Sequence, residues 1–187
     1  ARKKNEPYAA GESVRQSQMA WKCKTPFLGG ELKSTLHYSP RLFDGKLPFE
    51  NGGLVNLNLD FYGGTILYRS SSDSRYGKGI IGLDFQNQRD HRKRYVNLLG
   101  TKGNQTMNQL ERFNAASAFG IWSISVGKSM FDFGLRYDSN LVALDDRFES
   151  SEETYHRQFS RWSPHIGFLW KMNQSSSMDV DADADAG

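Results

Sequence analysis

The chain has 187 residues, 37% hydrophobic, 24% charged and 13% aromatic. It is too polar for a helical membrane protein, since its longest uncharged stretch, 113–127, falls short of the ~18 apolar residues a spanning helix needs, and too aromatic for a disordered chain. The single Cys23 excludes an intrachain disulfide and a cysteine-based zinc site. Net charge is +3, and setting aside Asp179, Asp181, Asp183 and Asp185 leaves 17 acidic against 24 basic residues, a balance of +7 that suits an anionic partner without choosing one.

Strand signals dominate. The opening Ala1-Arg2-Lys3-Lys4-Asn5 has no apolar stretch behind it, which fits a removed export signal or an internal piece of a longer protein. Period-2 alternation then begins with Met19, Trp21 and Cys23 and continues with Leu32, Leu36 and Tyr38. Val55, Leu57, Leu59 and Phe61 share one face of the next window, and Gly63-Gly64 reads as a place where a bulge flips that face. Ile81, Leu83 and Phe85 follow, then Ala118, Gly120, Trp122, Ile124 and Val126. The two cleanest windows come last. Phe131, Phe133, Leu135 and Tyr137 oppose Asp132, Gly134, Arg136 and Asp138. Trp162, Pro164, Ile166, Phe168, Trp170 and Met172 oppose Arg161, Ser163, His165, Gly167 and Lys171.

These windows predict about seven strands, near 14–24, 31–38, 54–70, 78–88, 113–126, 130–148 and 159–172. The links alternate in length: short at 25–30, 71–77 and 127–129, longer at 39–53, 89–112 and 149–158. Such alternation is how outer-membrane barrels are built. Several predicted strands also reach the ~9–11 residues that cross a bilayer at a tilt. The fold class expected is all-β, an antiparallel up-and-down meander. Residues 1–172 form the β segment, and 173–187 form a disordered tail rich in Ser, Asp and Ala.

Several motifs carry more than a strand signal. Gly82-Leu83-Asp84-Phe85-Gln86-Asn87-Gln88-Arg89-Asp90 leads into Arg92-Lys93-Arg94-Tyr95. Then come Gly134-Leu135-Arg136-Tyr137-Asp138, Asp145-Asp146-Arg147-Phe148, and Phe159-Ser160-Arg161-Trp162-Ser163-Pro164-His165-Ile166-Gly167. In this order they resemble the middle of the barrel of TonB-dependent outer-membrane receptors, over roughly residues 50–172. The resemblance implies part of a large transmembrane β-barrel in the outer membrane of a Gram-negative bacterium. It implies uptake of a scarce small-molecule ligand, with a ferric siderophore among the candidates, and no enzymatic activity. Implied partners are outer-membrane lipid, lipopolysaccharide and, through a plug domain not among these residues, the TonB complex. Two other readings stay open: a small structural outer-membrane barrel or adhesin, and a soluble β-sandwich binding module.

The candidate ligand-binding residues are Arg92, Lys93, Arg94 and Tyr95, in the densest basic segment, which is expected to open the longest loop. Guanidinium groups bind carboxylate or phosphate bidentately. The same charges also suit lipopolysaccharide phosphates, or simply a solvated rim. Nucleic acid is not expected, because only Tyr95 offers a stacking surface there. Gly77-Lys78-Gly79-Ile80-Ile81-Gly82 spells G-x-G-x-x-G, but a strand follows it where a dinucleotide site needs a helix. His37, His91, His156 and His165 are scattered, and Asp145-Asp146 has no nucleophile beside it. No cofactor, metal or catalytic residue is expected.

Overall fold

A computed structural model describes residues 5–71, 77–148, 153–173 and 176–182. All its strands belong to one antiparallel sheet: β1 (Gly11–Gln16), β2 (Met19–Phe27), β3 (Gly30–Lys46), β4 (Leu54–Arg69), β5 (Lys78–Leu98), β6 (Thr101–Val126), β7 (Ser129–Asp146), β8 (Glu153–Asn173) and β9 (Ser176–Ala182). The order is an up-and-down meander, with β1 and β2 both pairing β3. The strand expected near 14–24 is thus two segments. Met19–Phe27 runs along the lower part of β3 and Gly11–Gln16 along its upper part, with the Ser17 amide donating to the Pro40 carbonyl between them (3.2 Å).

The lower turns are tight. Leu28-Gly29, both at positive φ, joins β2 to β3, and Gly127-Lys128, with Gly127 at φ 61°, joins β6 to β7. These are the primed two-residue hairpins whose twist matches the flanking strands. The upper side departs from expectation. The links read at 39–53 and 89–112 are mostly strand: β3 runs to Lys46 and β4 restarts at Leu54, while β5 and β6 pair until a two-residue turn at Leu99-Gly100. Backbone pairing persists where the apolar period fades, because a neighbouring strand satisfies the ladder whatever the side chains are. Ser176–Ala182, read as part of the tail, pairs with the end of β8. The link at 149–158 is shortened by β8, and parts of it, of the 71–77 link and of the tail lie outside the described residues.

There is almost no core. Leu54, Leu110 and Ala143 are the buried apolar residues among those described. Register instead collects the apolar windows onto one face. Directly paired residues share a face, so Tyr137, Ala118, Leu83, Ile66 and Ser34 form one row. The next rows down add Ile81, Gly120 and Leu135, then Trp122, Phe133 and Ile166. The result is a belt of exposed apolar side chains, with Leu83 57% and Trp162 61% accessible. A β-sandwich would cover this face with a second sheet. Every described strand lies in this one sheet.

The upper border of the belt descends across the sheet. It lies at Tyr38 and Tyr62 on β3 and β4, at Phe85 on β5, and at Tyr137 and Trp162 on β7 and β8. Tyr62 pairs Asn87, two residues above Phe85, and Phe85 lies in the row of Ala116 and Ser139, two residues above Tyr137. A border that steps against the pairing rows is what tilted strands produce when they cross a flat layer.

Candidate functional site

Opposite the belt, the face is polar and its side chains reach across strands. Arg136 on β7 donates from Nη2 to Ser117 Oγ on β6 (2.7 Å) and from Nη1 to Asp84 Oδ2 on β5 (3.1 Å). Its Nε donates to Asp138 Oδ1 (2.8 Å), and the Thr65 hydroxyl on β4 donates to Asp84 Oδ1 (2.7 Å). Arg136 and Asp84 together therefore tie four adjacent strands at mid-belt. The Phe119 ring lies beneath it (5.5 Å) and covers Gly82, where any side chain would collide with that ring. The glycines of the G-x-G-x-x-G string thus serve close packing: Trp122 covers Gly79 on the other face.

Above this network, on the same face, lies a recess of about 510 Å³ lined by Gln16, His37, Ser39, Arg41, Phe61 and Gln88 among others. The His37 and Phe61 rings are 5.1 Å apart. Higher still, the face holds Phe43, Val55, Leu57 and Leu59 between the arginines Arg41 and Arg94. Nε of Arg41 and Nε of Arg94 are buried and make no hydrogen bond among the described residues.

Arg92, Lys93, Arg94 and Tyr95 lie on β5, not on a loop, and alternation splits them. Arg92 and Arg94 stand on the polar face, opposite Leu57 and Val55. Lys93 and Tyr95 stand on the other face, opposite Asn56 and Leu54, with the Lys102 ammonium 3.6 Å above the Tyr95 ring. Arg92 is already engaged by Glu111 (3.3 Å). The four residues do not converge on one ligand, because β geometry sends successive side chains to opposite sides.

The remaining candidates are spread over different strands and faces. Asp145 and Asp146 end β7 on opposite faces. Asp145 accepts both bonds from Arg112 Nη2 (3.0 and 2.8 Å). Asp146 accepts from the Phe148 amide (3.0 Å) and from Gln109 Nε2 (3.2 Å), and these donors hold its carboxyl below the usual Asp range. His165 stands on the polar face opposite Gly134, as the alternation predicts. His91 bonds Asn108 (2.9 Å) on the opposite face.

A family profile described as "TonB dependent receptor-like, beta-barrel" matches residues 14–178. The chain belongs to that family. No curated protein matches it in sequence. Among solved structures it is similar in fold to a protein described as the ferric citrate transporter FecA, in its unliganded form, with TM-score 0.70 and 14% identity. The match covers 89% of this chain and 26% of FecA, so the chain spans about a quarter of that structure's length.

In a barrel of the TonB-dependent receptor family the apolar belt meets lipid and the polar face lines the interior. The Arg136 network is then an interior brace, and the recess with Arg41 lies above it on the same face. Alternation places Arg136 on the polar face but does not show its partner Asp84, and it gives no sign of Arg41. Asp84 lies 52 residues away, and only the register of β5, β6 and β7 brings them together. Arg41 lies in what reads as a link, where alternation gives no face.

Proposed function

We propose that this chain forms part of the wall of an outer-membrane receptor that binds a scarce anionic small molecule and imports it, a ferric siderophore being the leading class. The observation that carries this reading is the pair of inward arginines, Arg41 and Arg94, set around an apolar strip of β4 with their Nε groups unsatisfied. Buried unsatisfied polar atoms are uncommon in native structures and point to a missing partner. An anion with apolar or aromatic parts matches both the charge and the strip, and the His37–Phe61 recess below gives it a next station on the way in. Arg92 contributes charge at the same height. Lys93 and Tyr95, facing away, do not belong to this site. Energy would come from the TonB complex acting on a plug, which the family's architecture supplies outside these residues.

The test is uptake by cells producing the full-length receptor. With ferric complexes of citrate, hydroxamate and catecholate siderophores, Arg41→Gln with Arg94→Gln should lower uptake of one class at least ten-fold, while Lys93→Gln leaves it unchanged. Equal effects of inward and outward substitutions would overturn the assignment. A small structural barrel would transport none of the three.

A further inference from the structure

We infer that the outward face carries a seat for one phosphorylated lipid of the outer leaflet, with an acyl chain lying over Ala116 and Ala118 and a phosphate held by Arg89 and Arg112. This rests on the outer-membrane reading above and adds a partner on the opposite side of the wall from the ligand. The belt is not uniformly bulky. On β6 the successive outward positions Ala116, Ala118 and Gly120 are small, whereas β5 carries Leu83 and Phe85 beside them and β7 carries Leu135 and Tyr137. The hollow between those larger side chains is a groove of about 400 Å³ walled by Ile66, Leu83, Phe85 and Tyr137 and closed above by Ser139. It lies at the belt's upper border, on the side to which the strands extend.

Directly above the groove the chemistry changes in a way that fits a headgroup. Asn87 and Asn114 bond each other in the first row. In the second row Arg89 stands directly opposite Arg112, and Lys93 lies further up β5 on the same face. Like charges directly opposite on paired strands are destabilising, and an anion shared between them removes that cost. Acidic groups neighbour both arginines but leave donors free. Asp145 occupies Nη2 of Arg112 and its Nε is buried, which leaves Nη1 as the donor for an outside anion. Asp60, opposite Arg89, takes the Tyr38 hydroxyl (2.7 Å), and Arg89 is exposed with no hydrogen bond or ion pair among the described residues. A guanidinium fork matches phosphate bidentately. Charge above and a small-residue groove below together specify a lipid with a phosphate at its glycerol- or sugar-level headgroup. The outer-leaflet lipid with that chemistry is lipopolysaccharide.

The experiment uses the full-length receptor, extracted from outer membranes in mild detergent, with lipopolysaccharide retained per receptor measured by native mass spectrometry. Arg89→Gln breaks no hydrogen bond or ion pair among the described residues, and Ala118→Leu fills the groove without touching the interior face. Each should lower retention about five-fold or more, and Arg89→Lys should restore most of it. Added dephosphorylated lipid A should fail to compete, while phosphorylated lipid A should compete. Unchanged retention in Arg89→Gln and Ala118→Leu, with the receptor folded and in the outer membrane, would overturn the seat alone. Equal competition by phosphatidylglycerol would overturn it as well, in favour of a non-selective anionic rim. A receptor absent from the outer-membrane fraction would instead overturn the reading on which the seat rests.

Discussion

Within β4 the same strand obeys opposite rules at its two ends. In the belt, Ile66 and Tyr68 face outward with the apolar residues of their neighbours, and Thr65 faces in. Above the belt, Val55, Leu57, Leu59 and Phe61 face inward, while Asn56, Asn58 and Asp60 face out. The pairing of β4 with β3 and β5 runs without a register shift through Gly63-Gly64, so no bulge performs the switch. The glycines serve another purpose. A Cβ at Gly63 would lie 3.0 Å from the His37 ring, and one at Gly64 would lie 2.7 Å from Leu36, so their absence lets the neighbouring side chains close over the strand. What inverts is the solvent. In the belt the outside is hydrocarbon, and apolar groups belong there. Above it the outside is water, and apolar groups turn to the sheltered interior.

This contrast can be broken by mutation at matched faces and different heights. Phe133→Arg, outward in the belt, should cost about 2–4 kcal/mol if it lies near the bilayer midplane. Asn58→Arg, outward above the belt, should stay within ~0.5 kcal/mol of the parent. Denaturant titration of the full-length receptor in lipid vesicles measures both, and equal costs would remove the height rule.

The upper region should also fail separately. Asn97 is fully buried and donates to the Tyr8 carbonyl (3.2 Å) and the Leu47 carbonyl (3.0 Å), while its Oδ1 accepts from the Gly100 amide (2.7 Å). It clasps the β5–β6 turn to two other segments. Asn97→Ala should cost about 1–3 kcal/mol locally. Limited proteolysis should accelerate near Leu99-Gly100, with the heat-dependent gel shift of the barrel preserved.

The interior brace tests the belt from its other side. Arg136→Gln removes ion pairs to Asp84 and Asp138, and because the guanidinium is partly exposed the loss should be only about 1 kcal/mol. A double-mutant cycle with Asp84→Asn should show coupling, since the two side chains meet.

The smallest effect concerns acid. The Phe148 amide and Gln109 hold the Asp146 carboxyl below its ordinary value, so its stabilising contribution is complete above the ordinary Asp range and is lost as pH falls through the depressed folded value. Hydrogen exchange at the Phe148 amide should quicken on acidification through that range, and Asp146→Asn should abolish the pH dependence.

Much of the belt was legible in the sequence. Phe131 to Tyr137 and Trp162 to Trp170 alternate because lipid on one side and a polar interior on the other demand a strict period of two. The lower turns showed as the short links at 25–30 and 127–129, the first of which the structure tightens to Leu28-Gly29. The basic segment misled for a related reason. With water outside, the run from Arg89 to Arg94 has no apolar face to show, so it reads as loop although β6 pairs it throughout.

The sequence by itself therefore determined the class of fold, the faces of the lipid-crossing windows and the family, because each is written in local periodicity and motif. Tertiary structure decided how far the strands continue and that Arg92 and Arg94 part from Lys93 and Tyr95. It also decided that Arg136 meets Asp84 and that Arg89 faces Arg112. Those facts depend on register between strands distant in sequence, and register is fixed by backbone ladders that no single strand's composition reveals.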